Sequence, residues 1–301
     1  MAEPALIFEN VTRRFRRKTA VDDLSLAVEP GTVLGLVGRN GSGKTTSLRL
    51  AHGILHADAG RIRVLGLDPV ADGLQLRTRV GLLSEESALY PWMRVGEIVE
   101  FAGALHPRWD SDLAARLCER LELDSGERIR ALSRGTRAKV ALVLAVATRP
   151  QLLLLDDPTA GLDPLVRREI LESILDSVSN EGGAVIYASH LVHDIERIAD
   201  RIAYLDDGAL QLEGQLEELK REIRRVRAVF DDGAPAQVEL PGRIDCRADG
   251  RMLEVVARAP NGELSGALAR LGGTHIQVEE LSLEEILVAC LRREPGEARD
   301  A

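Results

Sequence analysis

The stretch Val33-Leu34-Gly35-Leu36-Val37-Gly38-Arg39-Asn40-Gly41-Ser42-Gly43-Lys44-Thr45-Thr46 decides the fold. Five apolar residues read as a strand buried on both faces. They run directly into the pattern G-x-x-x-x-G-K-[ST], and residues 47–52 continue as a helix, which is the context the pattern requires. Glycines let backbone N–H groups curl around phosphate oxygens, and a helix N-terminus adds partial positive charge. Lys44 is then expected to reach the β- and γ-phosphates, Thr45 to offer its hydroxyl to Mg²⁺, and Thr46 to meet the α-phosphate. The alternative, a glycine-rich turn with only a structural role, does not account for the strand before it and the helix after it.

Further along, Leu152-Leu153-Leu154-Leu155-Asp156-Asp157-Pro158 is a second apolar run, and it ends in two acids. In α/β proteins ligands bind at the carboxyl ends of the strands, so such a strand delivers carboxylates to a site. Asp156 is expected to hold Mg²⁺ through water, and Asp157 to face the attacking water. Together with the runs at 184–188 and 202–205, these strands alternate with helical stretches, the pattern of a largely parallel sheet covered by helices. Residues 84–134 interrupt it as an inserted helical subdomain, with helices at 95–105 and 111–121; Trp92 and Trp109 there are expected to pack in a core. Residues 13–18, rich in Arg and Lys, read as a solvated loop.

The texture changes after residue 213. A charged helix at 215–225, with the arginines of 221–227 on one polar face, precedes strands at 227–230, 237–240 and 252–257. A helix at 264–271, a strand at 275–279 and a helix at 283–292 complete a small α+β domain over 213–301.

A chain of 301 residues with 45% hydrophobic content can bury a substantial core, which excludes disorder as the default. A formal net charge of -9 argues against nucleic-acid binding, which needs a basic surface. The three cysteines, Cys118, Cys246 and Cys290, are far apart and read as reduced thiols. The longest apolar run, residues 140–147, is far short of the roughly 20 residues that span a bilayer. The start, MAEPALIFEN, has no signal-peptide pattern.

Beyond phosphate-loop enzymes in general, the chain resembles the ABC ATPase family over residues 5 to about 212. Leu132-Ser133-Arg134-Gly135-Thr136 is similar to the family's signature loop, Ala160-Gly161-Leu162-Asp163 to its D-loop, and Ser189-His190 to its switch histidine; Phe15 stands where an aromatic stacks on adenine. The resemblance implies an ABC-type ATPase domain over 1–212. Two such subunits would sandwich ATP between the phosphate loop of one and Ser133, Arg134 and Gly135 of the other. Separate transmembrane permease subunits would follow the motion, with the chain peripheral at the cytoplasmic face of the cell membrane. The stretch Leu105-His-Pro-Arg-Trp-Asp110 and residues 132–164 are similar to single-domain exporter ATPases of the multidrug and antibiotic-resistance type.

Two positions depart from the family pattern. Asp157 stands where the family has glutamate; one methylene fewer retracts the carboxylate by about 1 Å, and misplacement on that scale can cost on the order of 100-fold in rate. Slow hydrolysis, or pairing with a subunit that carries a faster site, is therefore expected. Glu85 stands where the family has the glutamine that links Mg²⁺ to the helical subdomain; it can still offer an oxygen to the metal. A non-transport ABC ATPase and an ATP-driven dimerisation switch are the rival readings. The former usually carries coiled-coil insertions or tandem units, absent here, and the latter is favoured by Asp157.

Overall fold

The computed structural model describes residues 3–16, 18–84, 89–179, 182–235, 238–240, 242–258 and 263–291. The chain divides into two compact units, Met1–Leu210 and Gln211–Ala301.

The first unit runs β1 (Leu6–Phe15), β2 (Lys18–Val28), β3 (Val33–Val37), α1 (Lys44–Ala51), β4 (Ala59–Val64), α2 (Gly73–Arg77), β5 (Val80–Leu83), α3 (Val95–Leu105), α4 (Ser111–Arg120), α5 (Arg134–Val146), β6 (Leu152–Asp156), α6 (Pro164–Ser179), β7 (Ala184–Ser189), α7 (Val192–Ile198), β8 (Arg201–Asp206) and β9 (Ala209–Gln215). Its larger sheet has the order β5-β6-β7-β3-β8-β9, and the pairs β5–β6, β6–β7, β7–β3 and β3–β8 are parallel. Strands β3, β6 and β7 are buried along their whole length, as continuous apolar runs between helix layers should be. Helix α7 comes so close to β3 that a β-carbon on Gly35 would lie 2.3 Å from the Ile195 side chain; only glycine permits that approach.

A second sheet, β2-β1-β4, is antiparallel and is absent from the sequence reading. Leu6, Phe8, Val11, Leu24, Leu26 and Val28 turn inward and share one core with the parallel sheet and α1. Register shifts between Phe8 and Val11 and between Val11 and Arg13 break the two-residue period, which hides the strand from a pattern search. Within the basic stretch, residues 13–15 end β1 and Lys18 begins β2, so these residues stand on strands rather than in a loop, with Arg14, Phe15, Arg16 and Lys18 exposed as expected. Phe15 is followed by β2, which pairs it with Lys18, before the chain reaches β3.

Within residues 84–134, α3 and α4 lie where the periodicity predicts helices, and Val95, Ile98, Ile129 and Leu132 form a small core with Val140. Trp92 does not pack there: it is 65% exposed. Trp109 is half-buried, its indole nitrogen against Gly103.

The second unit comprises α8 (Leu216–Glu222), β10 (Ile223–Val229), β11 (Arg243–Asp249), β12 (Met252–Arg258), α9 (Glu263–Arg270), β13 (Thr274–Glu280) and α10 (Leu283–Leu291). Its sheet has the order β11-β12-β10-β13, antiparallel throughout. The helix expected at 215–225 stops at Glu222, and the arginines beyond it stand on β10, not on a helix face. Burial of Val226 and Ala228 against Leu264 and Leu268 of α9 outweighs the helix propensity of the charged residues. Residues 238–240 carry no strand; an edge strand is β11 instead, in a stretch for which the sequence predicts none.

Candidate functional site

Three strand ends lie level at one edge of the parallel sheet. Val37 of β3 pairs with Ser189 of β7, and Asp156 of β6 pairs with Ala188 of β7. The residues that follow those ends are thereby brought together, Gly38 to Lys44 from more than 100 positions away from Asp157 and His190 in the chain.

The loop from Gly38 folds because Gly43 takes a left-handed backbone, φ 109°, as the residue that caps α1. A β-carbon there would also lie 2.5 Å from the carbonyl oxygen of Ala20. Arg39, Asn40 and Gly41 are exposed, Gly38, Ser42 and Gly43 are buried, and Thr46 is half-buried. Lys44 is buried, and its Nζ donates to the carbonyl oxygens of Gly38 at 2.7 Å and Arg39 at 3.2 Å. Burial pushes its ammonium below the ordinary lysine value, against the pull of Asp157 and Asp156.

Thr45 Oγ1 donates to Asp156 Oδ1 at 2.9 Å. Asp156 is itself buried, and burial raises its carboxyl above the ordinary value; the Thr45 hydroxyl works in the opposite direction, and Asp157 adds to the rise. A buried ammonium and a buried carboxylate, each charged at a cost, sit side by side. Both costs fall when an anion reaches Lys44 and a cation reaches Asp156. The Ser42 hydroxyl in the same loop is buried without a hydrogen-bond partner among the described residues. Thus the residues fit a nucleotide phosphate and a divalent ion. Among the described residues no three His, Cys, Asp or Glu side chains gather as a metal cage. Such an ion would take its remaining ligands from phosphate oxygens and water.

Asp157 adopts a left-handed backbone, φ 44°. Its amide donates to Ala188 O at 2.8 Å. Its Oδ1 accepts from Ser189 Oγ at 2.9 Å and from the His190 amide at 3.2 Å, and lies 3.0 Å from His190 Nδ1. Glu85 lies outside the described residues.

Phe15 is 41% exposed, and the Arg13 guanidinium lies 4.7 Å from its ring centre. Its pair partner Lys18 donates from Nζ to Gly41 O at 3.1 Å, so the hairpin tip is fastened to the phosphate loop. Lys18 was missed from sequence because nothing local marks a lysine that reaches another segment.

Ser133 and Arg134 are exposed and Gly135 is half-buried at the start of α5. Ser133 Oγ caps that helix by accepting from the Thr136 amide at 3.0 Å. Asp163 Oδ1 likewise caps α6, accepting from the amides of Leu165 and Val166 at 3.1 Å.

The sheet, the glycine-turned loop and the paired acids at its edge define a phosphate-loop nucleotide-binding protein of the α/β class. A family model described as "ABC transporter" matches residues 21–160. The ABC transporter ATP-binding protein YtrB of Bacillus subtilis is 35% identical over 209 residues, 69% of this chain and 71% of that one. The daunorubicin resistance ATP-binding protein DrrA3 of Streptomyces coeruleorubidus is 34% identical over 295 residues, 94% of this chain and 93% of that one. The chain belongs to the ABC transporter ATP-binding protein family, and it is an ATPase of that family. A solved ATP-binding subunit of an ABC transporter superposes with a TM-score of 0.65 at 24% identity, over 72% of this chain and 92% of that one. A dimeric ATP-binding cassette bound to ADP and phosphate gives 0.65 at 22%, over 70% and 98%. These two likenesses speak for the fold.

Proposed function

We infer that this chain is the ATP-hydrolysing subunit of an ABC exporter, acting with a second ABC subunit on separate transmembrane permease subunits at the cytoplasmic face of the membrane. The observation that carries the reading is the meeting of Lys44, Thr45, Asp156, Asp157 and His190 at one sheet edge. The export direction rests on the resistance relative that matches almost the whole chain. Residues 1–212 form the ATPase domain, and 213–301 a small accessory domain.

ATP is held by the amides of residues 39–45 and by the Lys44 ammonium, with Phe15 under the adenine. Mg²⁺ would be held by Thr45 and, through water, by Asp156, with an oxygen from Glu85, and would supply positive charge against the β- and γ-phosphates. Asp157 orients a water that adds to the γ-phosphorus as the bond to the bridging oxygen breaks, leaving ADP and phosphate. His190 contacts the γ-phosphate. Ser133, Arg134 and Gly135 serve the nucleotide of the partner subunit, and Asp163 lies at the contact between subunits.

With Oδ1 of Asp157 already engaged by Ser189 and His190, a short side chain is left to position water with one oxygen. Slow hydrolysis follows, or reliance on a faster partner subunit. The same observation keeps an ATP-driven dimerisation switch as the second reading. Permease docking is supported by Tyr90, Trp92 and Phe101, all exposed, with ring centres 5.1 Å apart for Tyr90–Trp92 and 5.9 Å for Tyr90–Phe101. No helix among the described residues is long and apolar enough to cross a membrane.

Phosphate release and ATP-dependent dimerisation of the purified chain test the reading. Asp157→Glu is expected to raise turnover by about 100-fold. No gain would sink the account of Asp157, and dimerisation without any turnover would favour the switch.

A further inference from the structure

Beneath the hydrolytic edge lies a buried polar cluster to which the reaction as described gives no part. Thr159 is fully buried, and Asp194 and Tyr187 are 1% and 0% exposed. Thr159 Oγ1 donates to Asp194 Oδ2 at 2.7 Å and lies 2.9 Å from the Tyr187 hydroxyl, which reaches the same carboxylate oxygen at 3.5 Å. Arg167 Nη1 approaches Asp194 Oδ1 at 3.6 Å. Burying a carboxylate and a phenol beside a partly buried guanidinium is costly unless the arrangement fixes something. The pairing is also incomplete, since Asp194 Oδ1 and Arg167 Nε are buried without a hydrogen bond among the described residues.

What the cluster touches indicates what it fixes. Thr159 lies just before the D-loop residues 160–163, and Arg167 lies just after them, in the first turn of α6. Asp194 is on α7, the helix entered from His190. One carboxylate therefore clasps the D-loop segment, at Thr159 and at Arg167, to the helix that follows the histidine. On the other side the same segment meets the signature loop. A β-carbon on Gly161 would lie 2.7 Å from the Arg134 guanidinium, and one on Gly135 would lie 3.5 Å from Val166.

We propose that Asp194, with Thr159, Tyr187 and Arg167, is a positioning centre for hydrolysis, holding the D-loop segment at one distance from His190 and thereby aligning Asp157 with the histidine and with the signature loop. The proposal rests on the hydrolytic reading of Asp157 and His190 given above. It predicts a selective defect, because none of the four touches the phosphate loop: turnover falls while nucleotide binding persists.

The test uses the full chain, with phosphate release for kcat, a fluorescent ATP analogue for Kd and thermal melting for folding. Thr159→Val, which keeps the shape and removes the hydroxyl, is expected to lower kcat by about 10- to 100-fold, the cost of a misplacement near 1 Å. Kd should stay within twofold, and Thr159→Ser should restore turnover. In a His190→Ala background Thr159→Val should cost little more, as coupled residues do in a double-mutant cycle. Unchanged kcat in Thr159→Val, failure of the serine to rescue, or independent losses in the cycle would each overturn the proposal. Should Thr159→Val not fold, Tyr187→Phe deletes a single hydroxyl, and wild-type turnover in that variant overturns the proposal equally. Wild-type phosphate release no higher than that of Lys44→Ala defeats the hydrolytic reading and the positioning centre with it; the other outcomes defeat the positioning centre alone.

Discussion

Two regions of the molecule, the sheet of the second unit and the edge of the first unit's parallel sheet, treat charge in opposite ways. On the sheet of the second unit, Arg227 meets Glu254 at 2.9 Å and Glu279 at 2.6 Å, and Arg225 meets Glu279 at 3.5 Å and Glu285 at 3.1 Å. Arg224 pairs with Glu280, and Arg258 with Glu222. These charges stand partly in water and answer one another, those with Glu254, Glu279 and Glu280 across neighbouring strands, the pairing that steadies a polar sheet face, and those with Glu222 and Glu285 from strand to helix. At the edge of the first unit's parallel sheet, Lys44 and Asp156 are buried, and burial opposes the charged form of each. Charge that is satisfied within the protein builds structure. Charge held at a cost, beside a loop shaped for phosphate, is kept for a ligand.

The sharpest way to break that contrast is Lys44→Ala. If the ammonium is held for phosphate, phosphate release should fall by about 10²- to 10³-fold, the scale for removing one preorganised electrostatic partner. Activity retained within twofold would remove the contrast altogether.

Asp156→Asn sharpens it from the stability side. An acid whose carboxyl is raised by burial costs stability once ionised, so the amide should melt higher in the nucleotide-free protein while hydrolysis drops. A gain of about 1 kcal/mol would appear as roughly 2–4 °C in a unit of this size. The sign with pH follows: the gain is full where the folded acid is ionised, fades as pH falls through its raised folded value, and is gone below the ordinary aspartate value of 3.8, where the acid is protonated in both the folded and the unfolded states. A lower melting temperature for the amide at neutral pH would contradict a carboxylate held at a cost.

The smallest effect belongs to the second unit. Arg227 is 34% exposed, so Arg227→Ala should cost about 1 kcal/mol or less in denaturant unfolding and leave phosphate release within twofold. A large loss of turnover would mean that this ladder serves hydrolysis as well, and that the division of labour between the two kinds of charge is wrong.

Much of the nucleotide site is legible in the chain because its parts are local. The phosphate loop, the acids after Leu155 and the histidine after Ser189 each sit at the end of an apolar run, and continuous apolar runs between helices are what a two-sided parallel sheet requires. The antiparallel β2-β1-β4 sheet was not legible, because its bulges disturb the alternation by which strands are recognised. Lys18, Thr159, Tyr187 and Asp194 left no local signal either. Each is an ordinary residue in its own neighbourhood and becomes remarkable in chemistry only through a partner 7 to 35 positions away.

The helix expected at 215–225 shows the limit from the other side. Glu, Lys and Arg favour a helix when neighbours alone are counted, yet Ile223, Val226 and Ala228 are claimed by strands β12 and β13 and by α9, and the chain switches to β after Glu222. By itself, then, the sequence determined the class of sheet, the phosphate loop and the order of the acids and the histidine, all of which follow from short-range pattern and backbone chemistry. Tertiary structure alone decided that Val37, Asp156 and Ser189 end level, that Asp157 is clasped by the His190 segment, and that the arginines of β10 face glutamates, because register and burial are settled only when distant segments compete for the same partners.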